Sequence, residues 1–236
     1  HNFGMETKMT FTRKLGRSGI KVSALGMGCW AIGGPFFEKG TPLGWGEVDD
    51  NESIRAVHRA MELGVNFFDT ANVYGAGHSE RVLAKAFAGR RKEVVIATKF
   101  NAVFDEQTRE VTGSDSTPAG IRKACEDSLK RLDTDYIDLY QFHDNGFPAD
   151  KAEPVRETLE ELVKEGKLRA YGWSTDFADR AEVFAQGKNC TSIQLQLNVL
   201  DNNTEVIALC EKYNLAAINR GPLAMGLLSG KYTASS

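Results

Sequence analysis

The chain has 236 residues, 29 Lys and Arg against 32 Asp and Glu, and a formal net charge of −3. Its 42% hydrophobic and 26% charged content excludes collagen-like, low-complexity and wholly disordered classes. The bases are scattered, against the clustered footprint of a nucleic-acid binder. The longest uncharged apolar run, Ser23 to Phe37, is broken by glycines and a proline and is shorter than the roughly 20 residues of a membrane span. No nucleic acid and no membrane are therefore expected as partners.

Along the chain, short apolar runs alternate with amphipathic helical ones. An N-terminal hairpin is predicted from Phe11 to Val22, turning at Arg17-Ser18-Gly19. Strands are predicted at Ala24–Trp30, Asn66–Asp69, Val94–Lys99, Tyr136–His143, Leu168–Ser174, Ser192–Asn198 and Ala216–Asn219. Between them, Asp49 and Glu52 form a capping-box pattern ahead of Ile54, Val57 and Met61, and Gly64 closes that helix. Further helices read as Ser79–Phe87, a segment opened by Thr117-Pro118 with Ile121, Cys125, Leu129 and Leu132 on one face, Pro154–Lys164, Asp179–Gln186 and Thr204–Tyr213. Near-continuous apolar strands alternating with helices predict a parallel sheet covered on both faces.

No G-x-G-x-x-G follows the first strand, so the open dinucleotide fold lacks its main signal. The fold expected is a (β/α)8 barrel of the α/β class with an N-terminal hairpin, its eighth βα unit absent from this chain. Residues 1–8 read as a tag remnant or disordered N-terminus, and 9–236 as the C-terminally incomplete barrel. Cys29, Cys125, Cys190 and Cys210 match no metal or redox spacing and read as reduced thiols of a cytoplasmic protein.

The strand ends carry the chemistry. Asp69 ends the second strand, Tyr74 follows in the loop, Lys99 ends the third strand and His143 the fourth. In a parallel barrel these ends share one mouth. Singly, each has an ordinary structural reading: a turn cap, loop packing, a solvated amine, a satisfied imidazole. Together they form an acid. A phenol is a poor proton donor near neutrality, an adjacent ammonium lowers its pKa, and Asp69 would hold that ammonium while His143 binds a carbonyl oxygen. The missing reductant demands a nicotinamide or flavin cofactor. Trp45, in the loop after the first strand, would join Trp30 and Phe100 as an apolar substrate wall.

The run Asp69-Thr70-Ala71-Asn72-Val73-Tyr74-Gly75, with Gly77-His78-Ser79-Glu80 behind it, resembles the signature of the aldo-keto reductases, bacterial type, and is similar also to the potassium-channel β subunits of that family. Ile96-Ala97-Thr98-Lys99 resembles its lysine strand, Asp135 to His143 its histidine strand, and Leu15 to Ser23 with Gly28-Cys29-Trp30 its opening. The resemblance covers about residues 10 to 233. It implies Tyr74, Asp69, Lys99 and His143 as the catalytic set, and cofactor contacts from Cys29, Trp30 and Asp69. It also implies Ser174 and Thr175 (where the family usually has Ser-Asn) and Gln194 around the nicotinamide carboxamide. Gly221, Pro222, Leu223, Gly226 and Leu228 would form the loop over the pyrophosphate, with Arg220 either stacking its planar guanidinium on the nicotinamide or contacting phosphate.

Substrate contacts are expected from Trp30, Trp45, Tyr74, Phe100 and His143, and no metal is expected. The implied cofactor is NADP(H), with NAD(H) not excluded, because the segment that reads the 2′-phosphate lies near an eighth strand. The implied activity is reduction of small-molecule aldehydes or ketones to alcohols, with Tyr74 as proton donor. The alternatives are a cofactor-sensing regulatory subunit with slow turnover, and a Schiff-base aldolase using Lys99. Substrate identity and oligomeric state are left open by the sequence.

Overall fold

The computed structural model describes residues 11–233, so the expectation for residues 1–8 lies outside the described residues. The chain opens with the hairpin β1 (Thr12–Lys14) and β2 (Lys21–Ser23), followed by β3 (Met27–Gly28), β4 (Phe37–Glu38) and β5 (Thr41–Pro42). Then come α1 (Asp50–Glu62), β6 (Phe67–Asp69), α2 (His78–Ala86), β7 (Val95–Phe100), β8 (Ala102–Asp105), β9 (Glu110–Ser114) and α3 (Pro118–Leu132). The remainder is β10 (Ile137–Phe142), α4 (Glu153–Lys164), β11 (Leu168–Ser174), α5 (Ala178–Ala185), β12 (Cys190–Gln196), α6 (Thr204–Tyr213) and β13 (Ala216–Arg220).

Seven of these strands form one sheet in the order β13-β12-β11-β10-β7-β6-β3. Every pair in it is parallel. It is a curled α/β sheet of the barrel type, and among the described residues no strand joins β13 to β3. No helix of the described residues is long and apolar enough to cross a membrane.

Three helices, α1, α3 and α6, begin where the sequence places them because their caps are local. Asp49 accepts from the Asn51 and Glu52 amides, Thr117 from Gly120, and Asn203 from Val206. Between the helices and the outer face of the sheet lies the main core, with Ile96, Phe142, Trp173, Phe184 and Ile193. The inner face has its own apolar floor: Phe67, Val95, Ala97, Leu139 and Ala170, plugged from below by Leu15, Ile20 and Val22 of the hairpin. Arg17 pins that plug by donating to the carbonyls of Cys190 and Ala185, each at 2.7 Å.

Two features depart from expectation. The first strand shrinks from Ala24–Trp30 to Met27–Gly28, because Trp30 already turns into a 3-10 turn at Ala31–Gly33. A second, four-stranded sheet, β5-β4-β9-β8, stands in the loops after β3 and β7. Its strands are too short for a periodic signal. The β8–β9 turn is built by Asp105, whose carboxylate accepts from the Gln107 and Thr108 amides at 2.8 Å. Phe36, Ala71 and Val73 pack beneath this sheet with Trp30, Leu43 and Tyr74 beside them.

The Tyr74 loop is pressed against the Ala31–Gly33 turn at Gly75, where φ is +62° and a Cβ would overlap the Gly33 carbonyl. Gly89, at φ +73°, faces open space. Gly89→Ala is expected to cost about 1 kcal/mol for its left-handed backbone, and Gly75→Ala about 3 kcal/mol because the overlap adds to the strain. Urea unfolding of the two variants side by side measures the difference.

Candidate active site

The inner face changes from apolar to polar one layer above the floor. The ladder places Gln141 opposite Lys99 on one side and Gly172 on the other, and Gly172 opposite Ser192. Asp69 ends β6 in register with Ala97, one step below this layer, and Ser174 pairs with Gln194 one step nearer the mouth. Parallel strands entering from the same end thus deliver their last inward side chains to one place.

Lys99 is only 1% exposed, so its ammonium must be satisfied from within. It donates to Asp69 Oδ1 at 2.5 Å, the Thr70 carbonyl at 2.8 Å and the Tyr74 hydroxyl at 3.4 Å. These three acceptors match its three N–H groups. Burial lowers its pKa, but the Asp69 carboxylate and its hydrogen bonds prevail, and Lys99 is held charged above its ordinary range. A charged, fully engaged amine is not the free nucleophile that a Schiff base requires, which disfavours the aldolase alternative.

Asp69 uses its second oxygen on two amides: Oδ2 accepts from Gln141 Nε2 at 3.0 Å and Gln194 Nε2 at 2.9 Å. The loop after Asp69 is tied down by a second set of bonds. Thr70 and Ser79 hydroxyls lie 2.8 Å apart, Ser79 donates to the Cys29 carbonyl at 2.7 Å, and buried Glu80 accepts from Thr98 at 2.5 Å and Arg131 at 2.7 Å. Tyr74, inside that loop, therefore has little freedom.

The structure brings Asp69, Tyr74, Lys99 and His143 together. The Tyr74 and His143 rings stand perpendicular with centroids 6.0 Å apart, and Lys99 Nζ is 5.1 Å from the Tyr74 ring centre. Burial pushes the Tyr74 phenol above its ordinary pKa; Lys99 pulls it down and Asp69 pushes it up. The expected lowering by the ammonium is present but is outweighed by burial. His143 is pushed down to about 3 by burial and the positive charges of Lys99 and Arg220, so near neutrality it is an uncharged imidazole.

Trp30 stacks on Tyr74 at 6.0 Å, and Trp45, 58% exposed, meets Trp30 edge-on at 5.3 Å. Ser174 Oγ is 3.5 Å from Gln194 Oε1. Thr175 is buried and its hydroxyl accepts from the Phe177 amide at 3.3 Å. Arg220 is ion-paired with Asp176 and donates to Gln196 Oε1 at 3.2 Å. The 221–230 loop follows directly on β13. In it the Ala224 amide donates to Gly221, and the Gly226 and Leu228 amides donate to the Leu223 carbonyl.

Two expected site residues face elsewhere. Phe100 follows Lys99 and so points to the opposite face of β7, fully buried and stacked on Tyr140 and Phe142 at 4.6 and 5.3 Å. It cannot line a substrate wall. Cys29 is also fully buried in the core; its amide donates to the Asp69 carbonyl, and its own carbonyl is taken by Ser79. Its thiol, pushed up by burial, donates to the Met27 carbonyl at 3.5 Å on the core side. Gln141 was not expected, although a glutamine two residues before His143 in an apolar strand shares the inner face with Lys99, and that alternation was a usable signal.

The model of the aldo/keto reductase family matches residues 24–236. The NADH-specific methylglyoxal reductase of Escherichia coli is 34% identical over 236 residues, covering 93% of this chain and 69% of that protein. Among solved structures, the holo form of the aldo-keto reductase AKR11C1 from Bacillus halodurans superimposes with a TM-score of 0.82 at 34% identity, over 94% of this chain and 70% of that one. An aldo/keto reductase from Klebsiella pneumoniae in complex with NADP and acetate gives 0.73 at 27% identity, over 93% of this chain and 71% of that one. The chain spans between 61% and 69% of the length of the curated relatives it matches.

The neutral His143 has a consequence for stability. In the unfolded chain it protonates near 6.5, but in the fold only near about 3, so the unfolded state gains the proton first as pH falls. Its contribution to stability is complete above 6.5 and is lost as pH falls from there towards about 3. The urea midpoint is expected to drop across this window, and less steeply in His143→Gln; parallel curves for the two proteins would refute the assignment.

Proposed function

We propose that this chain, which belongs to the aldo/keto reductase family, reduces small aldehydes or ketones to alcohols with a nicotinamide dinucleotide as reductant. The observation that carries the reading is Lys99 Nζ, buried between the Asp69 carboxylate and the Tyr74 phenol at a mouth that also holds a neutral His143.

The donor set fits the cofactor. A primary carboxamide needs both a donor and an acceptor, and the Ser174 hydroxyl and Gln194 amide present them side by side near the reacting groups. Arg220 and the 221–230 loop stand at the same end of the sheet. On this reading Ser174 and Gln194 hold the nicotinamide carboxamide, Thr175 borders it, and Arg220 with Gly221, Pro222, Leu223, Gly226 and Leu228 lies along the phosphates. NADP(H) is the cofactor favoured by the family, with NAD(H) the alternative, as the names of the two relatives illustrate. When bound, the dinucleotide supplies hydride to the carbonyl carbon.

The chain's own residues supply the proton and the electrostatics. Tyr74 O–H donates to the carbonyl oxygen as negative charge develops there. Lys99 lies 3.4 Å from that hydroxyl and stabilises the resulting phenolate, while Asp69 keeps the ammonium charged and oriented. Neutral His143 hydrogen-bonds the same carbonyl oxygen without competing for the proton. Trp30 and Trp45 offer an apolar wall for the remainder of the substrate.

Turnover is tested by following loss of reduced nicotinamide with NADPH or NADH and a small aldehyde. Tyr74→Phe is expected to lower the rate by at least about 100-fold, the scale of a lost general acid. Cofactor affinity, read by tryptophan quenching, should change by less than about two-fold, because only the transition-state proton donor is removed. Lys99→Met should also abolish turnover and lower the unfolding midpoint, since Asp69 is left without its charge partner. Undiminished turnover in Tyr74→Phe would overturn the proposed role.

A further inference from the structure

We propose that Gln141 is a positioning residue for the proton donor Tyr74, acting through Asp69 and Lys99; this rests on the reductase reading above. Gln141 is fully buried on the inner face of β10, in register with Lys99. Its Nε2 donates to Asp69 Oδ2 at 3.0 Å, yet its Oε1 is buried with no partner. A buried carbonyl left unpaired weakens a fold, and an apolar residue of the same shape would avoid it. The flanking strand residues Tyr140 and Phe142 belong to the apolar core on the opposite face. The position therefore serves the N–H end of the amide, which reaches only Asp69.

The chemistry of that contact follows from the charges around Tyr74. The charged and titratable groups within reach of it are Asp69 from β6, Lys99 from β7 and the His143 ring after β10, with the buried Cys29 thiol acting only weakly from the core side. Lys99 favours the phenolate and Asp69 opposes it. Two N–H donors on Oδ2 draw the carboxylate's charge away from Lys99 and leave more of the ammonium's field for the phenol. Of the two, Gln194 is shared with the cofactor on the reading above. Gln141 is sealed below the mouth and stays on Asp69 throughout turnover.

Gln141→Met keeps the shape and removes the donor. With all tyrosines replaced by 3,5-difluorotyrosine, the fluorine resonance of Tyr74, identified by its loss in Tyr74→Phe, reports the phenol's ionisation without any turnover. Gln141→Met is expected to move that midpoint up by about half a pH unit. In the unlabelled protein kcat should fall about five-fold with KM and cofactor affinity unchanged, and the unfolding temperature should hold or rise. An unmoved Tyr74 midpoint, or a Gln141→Met protein that does not fold, overturns the proposal. A shifted midpoint in a protein that reduces no carbonyl would uphold the positioning role and sink the reductase reading instead.

Discussion

A single buried ammonium sets the terms for the site. Lys99 stands on the inner face of a parallel sheet, almost without solvent, and a charge there survives only if every N–H finds an acceptor. Asp69, Thr70 and Tyr74 provide the three, and all come from one strand end and the loop after it. The need to satisfy Lys99 thereby fixes where that loop returns and where the phenol points.

The rest of the molecule holds that arrangement from outside. The N-terminal hairpin closes the bottom of the sheet with Leu15, Ile20 and Val22, so the polar layer rests on a dry floor. Buried Glu80, bonded to Thr98 and Arg131, joins the start of α2 to β7 and α3. It fixes the far end of the Tyr74 loop much as Lys99 fixes the near end. The four-stranded sheet over the mouth packs its apolar side on Val73 and Tyr74, leaving Trp45 exposed beside Trp30.

Burial and charge act against each other here, and the winner differs by residue. At Lys99 the carboxylate in contact overcomes desolvation, and the ammonium persists. At Tyr74 desolvation overcomes the more distant ammonium, and the phenol remains protonated, the state a proton donor requires. At His143 burial and two positive neighbours act together, leaving a neutral imidazole. Distance explains the ranking: the Lys99–Asp69 contact is 2.5 Å, and the Lys99–Tyr74 contact is 3.4 Å.

Alternation of strand and helix, caps such as Asp49 and Thr117, and glycine stops are local properties, so the sequence alone determined the parallel α/β architecture. Polar residues at the ends of successive strands must share a mouth, and so Asp69, Tyr74, Lys99 and His143 were legible without coordinates. Contacts between distant segments were not. The pairing of β4 with β9, the amides of Gln141 and Gln194 on one carboxylate oxygen, and the capture of Cys29 by Ser79 each join residues far apart in the chain. Phe100 shows the same division at the scale of one residue. Its place beside Lys99 in sequence suggested the mouth, but the two-residue repeat of a strand sends neighbours to opposite faces, and only the packed sheet decided which face was the interior.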